Sequence, residues 1–129
     1  MGAASATVAI AACGGTGAPT RPSTSRASSP VALGRRLYVS QGCEDCHSLD
    51  GSRGTGPSYK GLYGSRVHLA SARTVIATAA YLTEHIVDPN AVTVSGYPGE
   101  VMAEAIAGDH LASKPSEVRA LVAFIRSLR

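Results

Sequence analysis

One stretch of five residues decides how this chain folds: Cys43-Glu44-Asp45-Cys46-His47. Two cysteines separated by two residues, with a histidine directly after the second, form the pattern C-x-x-C-H, which is typical of covalent attachment of a c-type haem. The thiols add to the two vinyl groups of the porphyrin, and the spacing lets both sulfurs reach one edge of the ring. The histidine then ligates the iron from the proximal side. The motif therefore predicts one covalent haem held by Cys43, Cys46 and His47.

Two other chemistries use closely spaced cysteines. A structural zinc site needs two further ligands, usually a second close pair, but His68, His85 and His110 are scattered along the chain. A thioredoxin-like thiol pair lies beside a βαβ pattern, and the sequence has none. Haem attachment is therefore favoured over both.

Length and composition fit one small domain that needs a cofactor to complete its core. The chain has 129 residues, a single Phe and no Trp, so its own side chains supply little aromatic bulk. Small domains often depend on such a bound group. Because a ligand that binds only the native state stabilises it, we expect the haem-free chain to be largely unfolded.

The formal net charge of +3 does not indicate a nucleic-acid partner. Arg21 and Arg26 precede the haem domain, so residues 31–129 carry ten basic and nine acidic side chains. Two haem propionates would bring that domain to about −1. Because there is no basic run and no interleaving of basic with aromatic residues, nucleic-acid binding is excluded.

The first thirty residues predict export. Residues 1–12 are mostly small and apolar and too few to span a bilayer, which suits a signal peptide. The segment 10–13, Ile-Ala-Ala-Cys, is similar to a bacterial lipoprotein cleavage box, with Cys13 as the lipid anchor; the alternative is an ordinary signal peptide with an incidental cysteine. Residues 13–30 are rich in Gly, Ser, Thr and Pro and predict a disordered tether. The haem domain is expected over residues 31–129.

Apolar spacing predicts three helices and leaves room for one hairpin. A first helix over 31–41 ends at Gly42, and its stripe of Gly34, Leu37 and Tyr38 suits close packing against another helix. A second covers 78–87 and ends at Asp88-Pro89. The last helix covers 113–128, with Ser113 or Ser116 as cap and Pro115 in the first turn. Its apolar face is expected to pack on the first helix and on one haem edge. That face carries Val118, Leu121, Val122, Ile125 and Leu128. Residues 50–64 and 90–99 are predicted as loops, and 67–76 allow a small hairpin.

The second axial ligand decides whether a haem carries electrons or binds small ligands. Met102 is the only methionine after the initiator, and its thioether is the favoured ligand, with His110 and His68 as fallback ligands. His85 is expected at the surface or facing a propionate. The Pro57 carbonyl either accepts the second ring N–H of His47 or belongs to an ordinary turn.

Four segments give the chain a resemblance to class I cytochrome c, and most closely to the haem domain fused to subunit II of some bacterial cytochrome c oxidases. They are G-R-R-L-Y-V-S-Q-G-C-E-D-C-H at 34–47, G-P-S-Y-K-G-L-Y-G-S at 56–65, Y-L-T-E-H-I-V-D-P-N-A at 81–91 and S-G-Y-P-G-E-V-M at 95–102. The family usually has Pro after its axial Met, whereas here Ala103 follows. No cupredoxin domain or membrane helix precedes the haem domain in this chain, so a free-standing version is expected.

The resemblance implies an all-α, class I cytochrome c fold: three to five helices around one covalently bound haem, with long loops. It implies thioethers at Cys43 and Cys46, axial ligation by His47 and Met102, and a hydrogen bond from His47 to the Pro57 carbonyl. It also implies four residues near the haem edge or propionates: Tyr59, Tyr63, Arg66 and Tyr97.

The function expected from these features is one-electron transfer without bond chemistry, so the protein is not expected to be an enzyme. We expect an exported carrier at the outer face of the bacterial cytoplasmic membrane or in the periplasm, lipid-anchored through Cys13. A quinol-oxidising complex or a dehydrogenase would be the donor, and a terminal oxidase or similar protein the acceptor. The alternatives are a fixed haem subunit of a larger respiratory or dehydrogenase complex and a ligand-sensing haem protein with an open sixth site.

Overall fold

The computed structural model describes residues 1, 2 and 29–129. The expected lipid anchor Cys13, and nearly all of the predicted signal peptide and tether, lie outside the described residues. Among the described residues, no helix combines the length and the apolar character that crossing a bilayer requires.

Four helices and one small hairpin make up the described part of the chain. Their bounds are α1 Pro30–Ser40, β1 Arg66–His68, β2 Thr74–Ile76, α2 Ala79–Val87, α3 Val101–Ala105 and α4 Pro115–Ser127. Single 3-10 turns cover Cys43–Asp45 and Leu111–Ser113. The strands pair antiparallel, with Val67 opposite Val75. The predicted fold class, helical with one small hairpin and long loops, is confirmed.

The crossing of α1 and α4 builds the larger part of the core. Ser29 starts α1 by accepting a hydrogen bond from the Ala32 amide at 3.1 Å, and Pro30 occupies the first turn. Gly34 faces Ala120 so closely that a Cβ at position 34 would overlap the Ala120 carbonyl. The predicted small-residue stripe of α1 therefore does allow a close helix approach.

Helix α4 buries the apolar face that the sequence predicted. Val118, Leu121, Val122 and Ile125 are buried in the core, and Leu128 packs against it partly exposed. The predicted cap was wrong. The cap residue is Lys114, without a side-chain hydrogen bond, because the Ser113 hydroxyl instead closes the preceding 3-10 turn by donating to the His110 carbonyl at 2.8 Å.

Helix α2 borders the core, and α3 lies in a segment for which no helix was predicted. The Thr78 hydroxyl caps α2 by accepting from the Tyr81 amide at 3.2 Å, and Leu82 and Ile86 are buried. A second, smaller apolar cluster lies under the hairpin. A helix of five residues, like α3, is too short for apolar periodicity to reveal.

Candidate haem site

A cavity of about 460 Å³ opens between the helical core and the hairpin. Its volume lies within the range usual for ligand and cofactor pockets. The lining is mainly apolar and includes Leu62, Val67, Leu82, Ile86, Val92, Ile106 and Ile125. Into this lining the fold brings the predicted residues Cys43, Cys46, His47, Pro57, Tyr59, Arg66, Tyr97 and Met102.

The two cysteines stand on one 3-10 turn at the edge of the cavity. In such a turn, side chains three residues apart lie on the same side, and the Cys46 amide donates to the Cys43 carbonyl at 3.3 Å. Both thiols are free and half-buried. Burial raises the pKa of Cys43 to about 11, with a smaller contribution from the nearby charge of Asp109. Reactive thiols have lowered pKa values, and the shift at Cys43 runs in the opposite direction.

His47 is held in the form that ligates a metal. Its side chain is only 8% exposed, and its Nδ1 lies 2.7 Å from the Pro57 carbonyl. Because a carbonyl can only accept, Nδ1 carries the proton and the neutral ring keeps a lone pair on Nε2. Burial lowers the pKa of His47, and the Pro57 carbonyl partly opposes that shift. The structure thus contains the hydrogen bond predicted for Pro57.

Three neighbours fix the orientation of the His47 ring. Tyr59 stacks on it, with ring centroids 4.6 Å apart and planes 19° from parallel. Gly56 packs against the ring so closely that a Cβ would lie 2.7 Å from Nδ1. The Tyr38 hydroxyl donates to the His47 backbone carbonyl at 2.5 Å. Sequence reasoning treated Tyr38 as a helix-packing residue and Gly56 as part of a loop, because neither position by itself signals contact with His47.

Met102 reaches the cavity from α3 and is half-buried there. The residue before the helix, Glu100, has a φ of +67°, and no side chain caps the helix. The chain that leads to this helix is fastened to the hairpin, since the Ser95 amide donates to the His68 carbonyl at 2.8 Å. The thioether is therefore carried by a short element attached upstream at the hairpin.

The fold does not bring Tyr63 to the cavity. Its side chain is 38% exposed, and the Arg126 guanidinium lies 4.7 Å from its ring centroid. Arg66 and Tyr97 do line the cavity. Arg66 is exposed at the start of β1, and Tyr97 is half-buried at its rim.

The remaining histidines are poorly placed as ligands. Both ring nitrogens of His85 are enclosed by protein and, among the described residues, find no hydrogen-bond partner of good geometry, although the ring lines the cavity. His68 is exposed, with Nδ1 2.9 Å from the Thr74 hydroxyl, and His110 does not line the cavity. Within residues 29–129, no three His, Cys, Asp or Glu side chains cluster as metal ligands, which leaves the zinc alternative without a ligand set there.

The lining fits a covalently bound haem. It offers two thiols on one edge, a neutral imidazole fixed by a backbone carbonyl, a thioether from a separate segment, and apolar walls. Imidazole and thioether together are the axial pair that favours electron transfer and raises the reduction potential of haem iron.

Comparisons with known proteins agree with this fit. The profile of the family described as Cytochrome c matches residues 31–129. Cytochrome c2 iso-1 of Magnetospirillum fulvum is 31% identical over 99 residues, which covers 67% of this chain and 91% of the relative. Cytochrome c2 iso-1 of Magnetospirillum molischianum is 32% identical over 99 residues, covering 67% and 90%. The chain belongs to the cytochrome c family of electron carriers with one covalently bound haem c.

Proposed function

We propose that this chain is a one-electron carrier of an extracytoplasmic respiratory chain, with the haem joined to Cys43 and Cys46 and ligated by His47 and Met102. One observation carries the proposal: a single cavity receives both thiols, the fixed imidazole and the thioether from different segments. With both axial positions filled, the bound haem supplies a reversible one-electron couple and binds no substrate.

The protein's own residues hold this site without doing bond chemistry. Pro57 and Tyr59 orient the His47 ring. Apolar side chains from α2, α4 and the hairpin exclude water from the cavity, and a low-dielectric surrounding strengthens the electrostatic interactions within it. Electron transfer then requires only brief docking through a small interface.

Replacing the thioether is the direct test of this ligation. Met102→Ala is expected to abolish the sulfur-to-iron charge-transfer band of the ferric protein. It is also expected to lower the reduction potential by on the order of 0.1 V, since axial ligands tune haem potentials over a wide range. The reduced variant is expected to bind carbon monoxide. Glu104→Ala, an exposed position on the same helix, is the matched control. Ready carbon monoxide binding by the reduced wild type would favour the ligand-sensing alternative.

The expected partners are a quinol-oxidising complex or a dehydrogenase as donor and a terminal oxidase as acceptor. The resemblance of four sequence segments to the oxidase haem domain supports a terminal oxidase as acceptor. The expected lipid at Cys13 supports a location on the outer face of the cytoplasmic membrane. Membrane fractionation tests that location. The wild type is expected with membranes and Cys13→Ser in the soluble periplasmic fraction. Recovery of both in the soluble fraction would contradict an anchor.

A fixed haem subunit of a larger complex is the second candidate, and an exposed apolar groove favours it. Val75, Ile76, Ala79 and Val87 line the groove, and Tyr81 contributes to both the groove and the cavity. Native electrophoresis of mildly solubilised membranes, stained for haem, separates the candidates. A free carrier is expected to migrate alone, whereas a subunit would migrate with a large complex.

A further inference from the structure

One arginine side chain joins the two loops that carry the expected axial ligands. The Arg53 guanidinium lies 4.5 Å from the Tyr97 ring centroid and donates a hydrogen bond to the Gly96 carbonyl. Arg53 lies six residues after His47, and Tyr97 lies five residues before Met102. The contact therefore spans the cavity rim from one ligand segment to the other.

The backbone that carries Arg53 is firmly held on the His47 side. The neighbouring Ser52 donates to the Asp50 carboxylate through its amide at 2.8 Å and its hydroxyl at 2.6 Å. On the other side of Arg53, the Gly56 amide donates to the Cys46 carbonyl at 2.9 Å. Arg53 thus extends from a loop tied to the haem-attachment motif.

Between the hydrogen bond of Ser95 to the hairpin and the start of α3, the segment that receives Arg53 has weaker support of its own. Gly96 has a φ of +79° and Glu100 a φ of +67°, so the chain turns twice through left-handed backbone before α3. That conformation is unfavourable for a residue with a side chain, such as Glu100. The five-residue helix that carries Met102 cannot supply the missing stability from its own hydrogen bonds, because isolated short helices are unstable.

Among residues 29–129, Arg53 has no acidic partner that would give it a different structural role. Within residues 29–129, the ion pair that forms joins Lys114 to Glu117 at 3.7 Å. The guanidinium instead combines a ring face with a carbonyl, which a planar group with several N–H donors can do at once. Its contacts are therefore directed at the Met102 loop.

We propose that Arg53 is a positioning residue that clasps the Met102 loop across the cavity rim and limits how often the Met102 thioether leaves the iron. The proposal rests on the axial pair of the proposed function. It assigns Arg53 no contact with the haem. Its action passes through Tyr97 and Gly96 to the loop, and from the loop to Met102.

Displacement of the thioether by imidazole measures this clasp. At saturating imidazole, the rate at which the ferric holoprotein loses its sulfur-to-iron band equals the rate at which Met102 dissociates. Arg53→Ala removes one exposed cation–π contact and one hydrogen bond, so we expect dissociation to become about tenfold faster. Arg53→Lys keeps the charge but not the planar guanidinium, and its dissociation rate is expected to lie between those of the wild type and Arg53→Ala.

A matched pair elsewhere in the domain provides the control. Arg126 lies over Tyr63 at nearly the same distance, but Tyr63 does not line the cavity. Arg126→Ala is therefore expected to leave the imidazole rate unchanged. Tyr97→Leu is expected to speed dissociation, and combining it with Arg53→Ala should add less than the two separate effects, since each removes the same contact.

Two results would overturn the clasp. One is a wild-type rate in both Arg53→Ala and Tyr97→Leu, and the other is an equal acceleration by Arg126→Ala. Failure of the proposed function gives a different result. If the wild-type ferric protein lacks the sulfur-to-iron band, or if the Met102→Ala variant keeps that band, then Met102 is not an axial ligand and the axial pair itself is wrong. If Arg53→Ala does not fold, Tyr97→Leu and Arg53→Lys still decide the question.

Discussion

The two sides of the cavity are built very differently. On the His47 side, a carbonyl, a stacked tyrosine and a glycine surround the imidazole, and the Tyr59 amide donates to the Ser48 carbonyl at 2.9 Å. On the Met102 side, a five-residue helix follows a left-handed residue, Glu100, and has no side-chain cap. Another left-handed residue, His110, ends that segment.

This difference assigns different tasks to the two ligand segments. In the folded protein these contacts already hold the His47 segment in place, so its ligand does not need to be ordered when the iron changes oxidation state. The Met102 segment, residues 96–110, follows the Ser95 hydrogen bond to the hairpin. Beyond that attachment it depends on contacts near its ends. Arg53 contacts Gly96 and Tyr97, and the Gln41 amide nitrogen, once the amide is turned to face Asp109, lies 3.0 Å from its carboxylate. The free energy of local unfolding differs from one segment of a protein to another. We expect it to be lowest at the Met102 segment, which should therefore open first.

Removing the haem is expected to have the largest effect on stability and to remove the difference between the two ligand segments. Loss of the haem would expose the mainly apolar walls of a cavity of about 460 Å³ to water, and a small domain has only about 5–15 kcal/mol of stability to lose. The haem-free variant with Cys43→Ala and Cys46→Ala is expected to lack near-UV circular dichroism. Cys43→Ala alone, with one thioether left, is the control and should stay folded.

The same experiment shows whether the His47 side is ordered by the chain alone. Amide hydrogen exchange of the haem-free variant is expected to show no protection over residues 43–59. Native-like protection there, with none over 96–110, would mean that the His47 segment is preorganised without the cofactor. A natively folded haem-free variant would contradict the expectation.

Two glycines, one in each ligand segment, allow the difference in packing to be measured, with an expected effect of intermediate size. At Gly56 a Cβ would lie 2.7 and 2.9 Å from the two ring nitrogens of His47, whereas at Gly108 it would meet nothing within 4 Å. Gly56→Ala is therefore expected to lower the free energy of unfolding of the holoprotein by about 1–3 kcal/mol, as overpacking does. Gly108→Ala is expected to change it by less than about 0.5 kcal/mol. Denaturant unfolding followed by haem absorbance measures both, and equal losses would contradict the difference in packing.

The sequence predicted the parts of the site that local patterns encode. C-x-x-C-H indicated the haem, and apolar spacing located α1, α2 and α4. Met102 was favoured as the only methionine after the initiator, and the resemblance implied the hydrogen bond to the Pro57 carbonyl, which the loop pattern had left open. Contacts between distant segments could not be predicted from local patterns. The Tyr38 hydroxyl donates to the His47 carbonyl, which the pattern of its helix does not indicate, and Arg53 donates to Gly96, 43 residues away. Helix α3 was missed because five residues are too few to repeat the helical period of about 3.6 residues. The cap of α4 was missed because Ser113 bonds within its own turn.

Three imidazoles line the cavity, those of His47, His68 and His85, and the two that are least exposed differ in their hydrogen bonds. His47 donates to Pro57, whereas among residues 29–129 the ring nitrogens of His85 make no hydrogen bond of good geometry and have only the Tyr81 and Val92 carbonyls near them. Burial lowers the pKa of His85, and the Tyr81 carbonyl, the Glu84 charge and the Val92 carbonyl oppose that shift without cancelling it. An enclosed polar group with only poorly aligned partners destabilises the folded state, so His85 is a weak point on α2.

The smallest predicted effect is a pH dependence that originates at His85. Because its folded-state pKa is below the unfolded value of about 6.5, its contribution to stability is fully present above that pH and is lost as the pH falls towards the lowered pKa. We expect the urea midpoint of the ferric holoprotein to fall from pH 8 to pH 5. His85→Leu, which removes the poorly partnered nitrogens, should flatten that fall, while His68→Gln at an exposed site should keep it. An equally steep fall in His85→Leu would mean that acid lability arises elsewhere, and the contrast between the two imidazoles would then have no thermodynamic consequence.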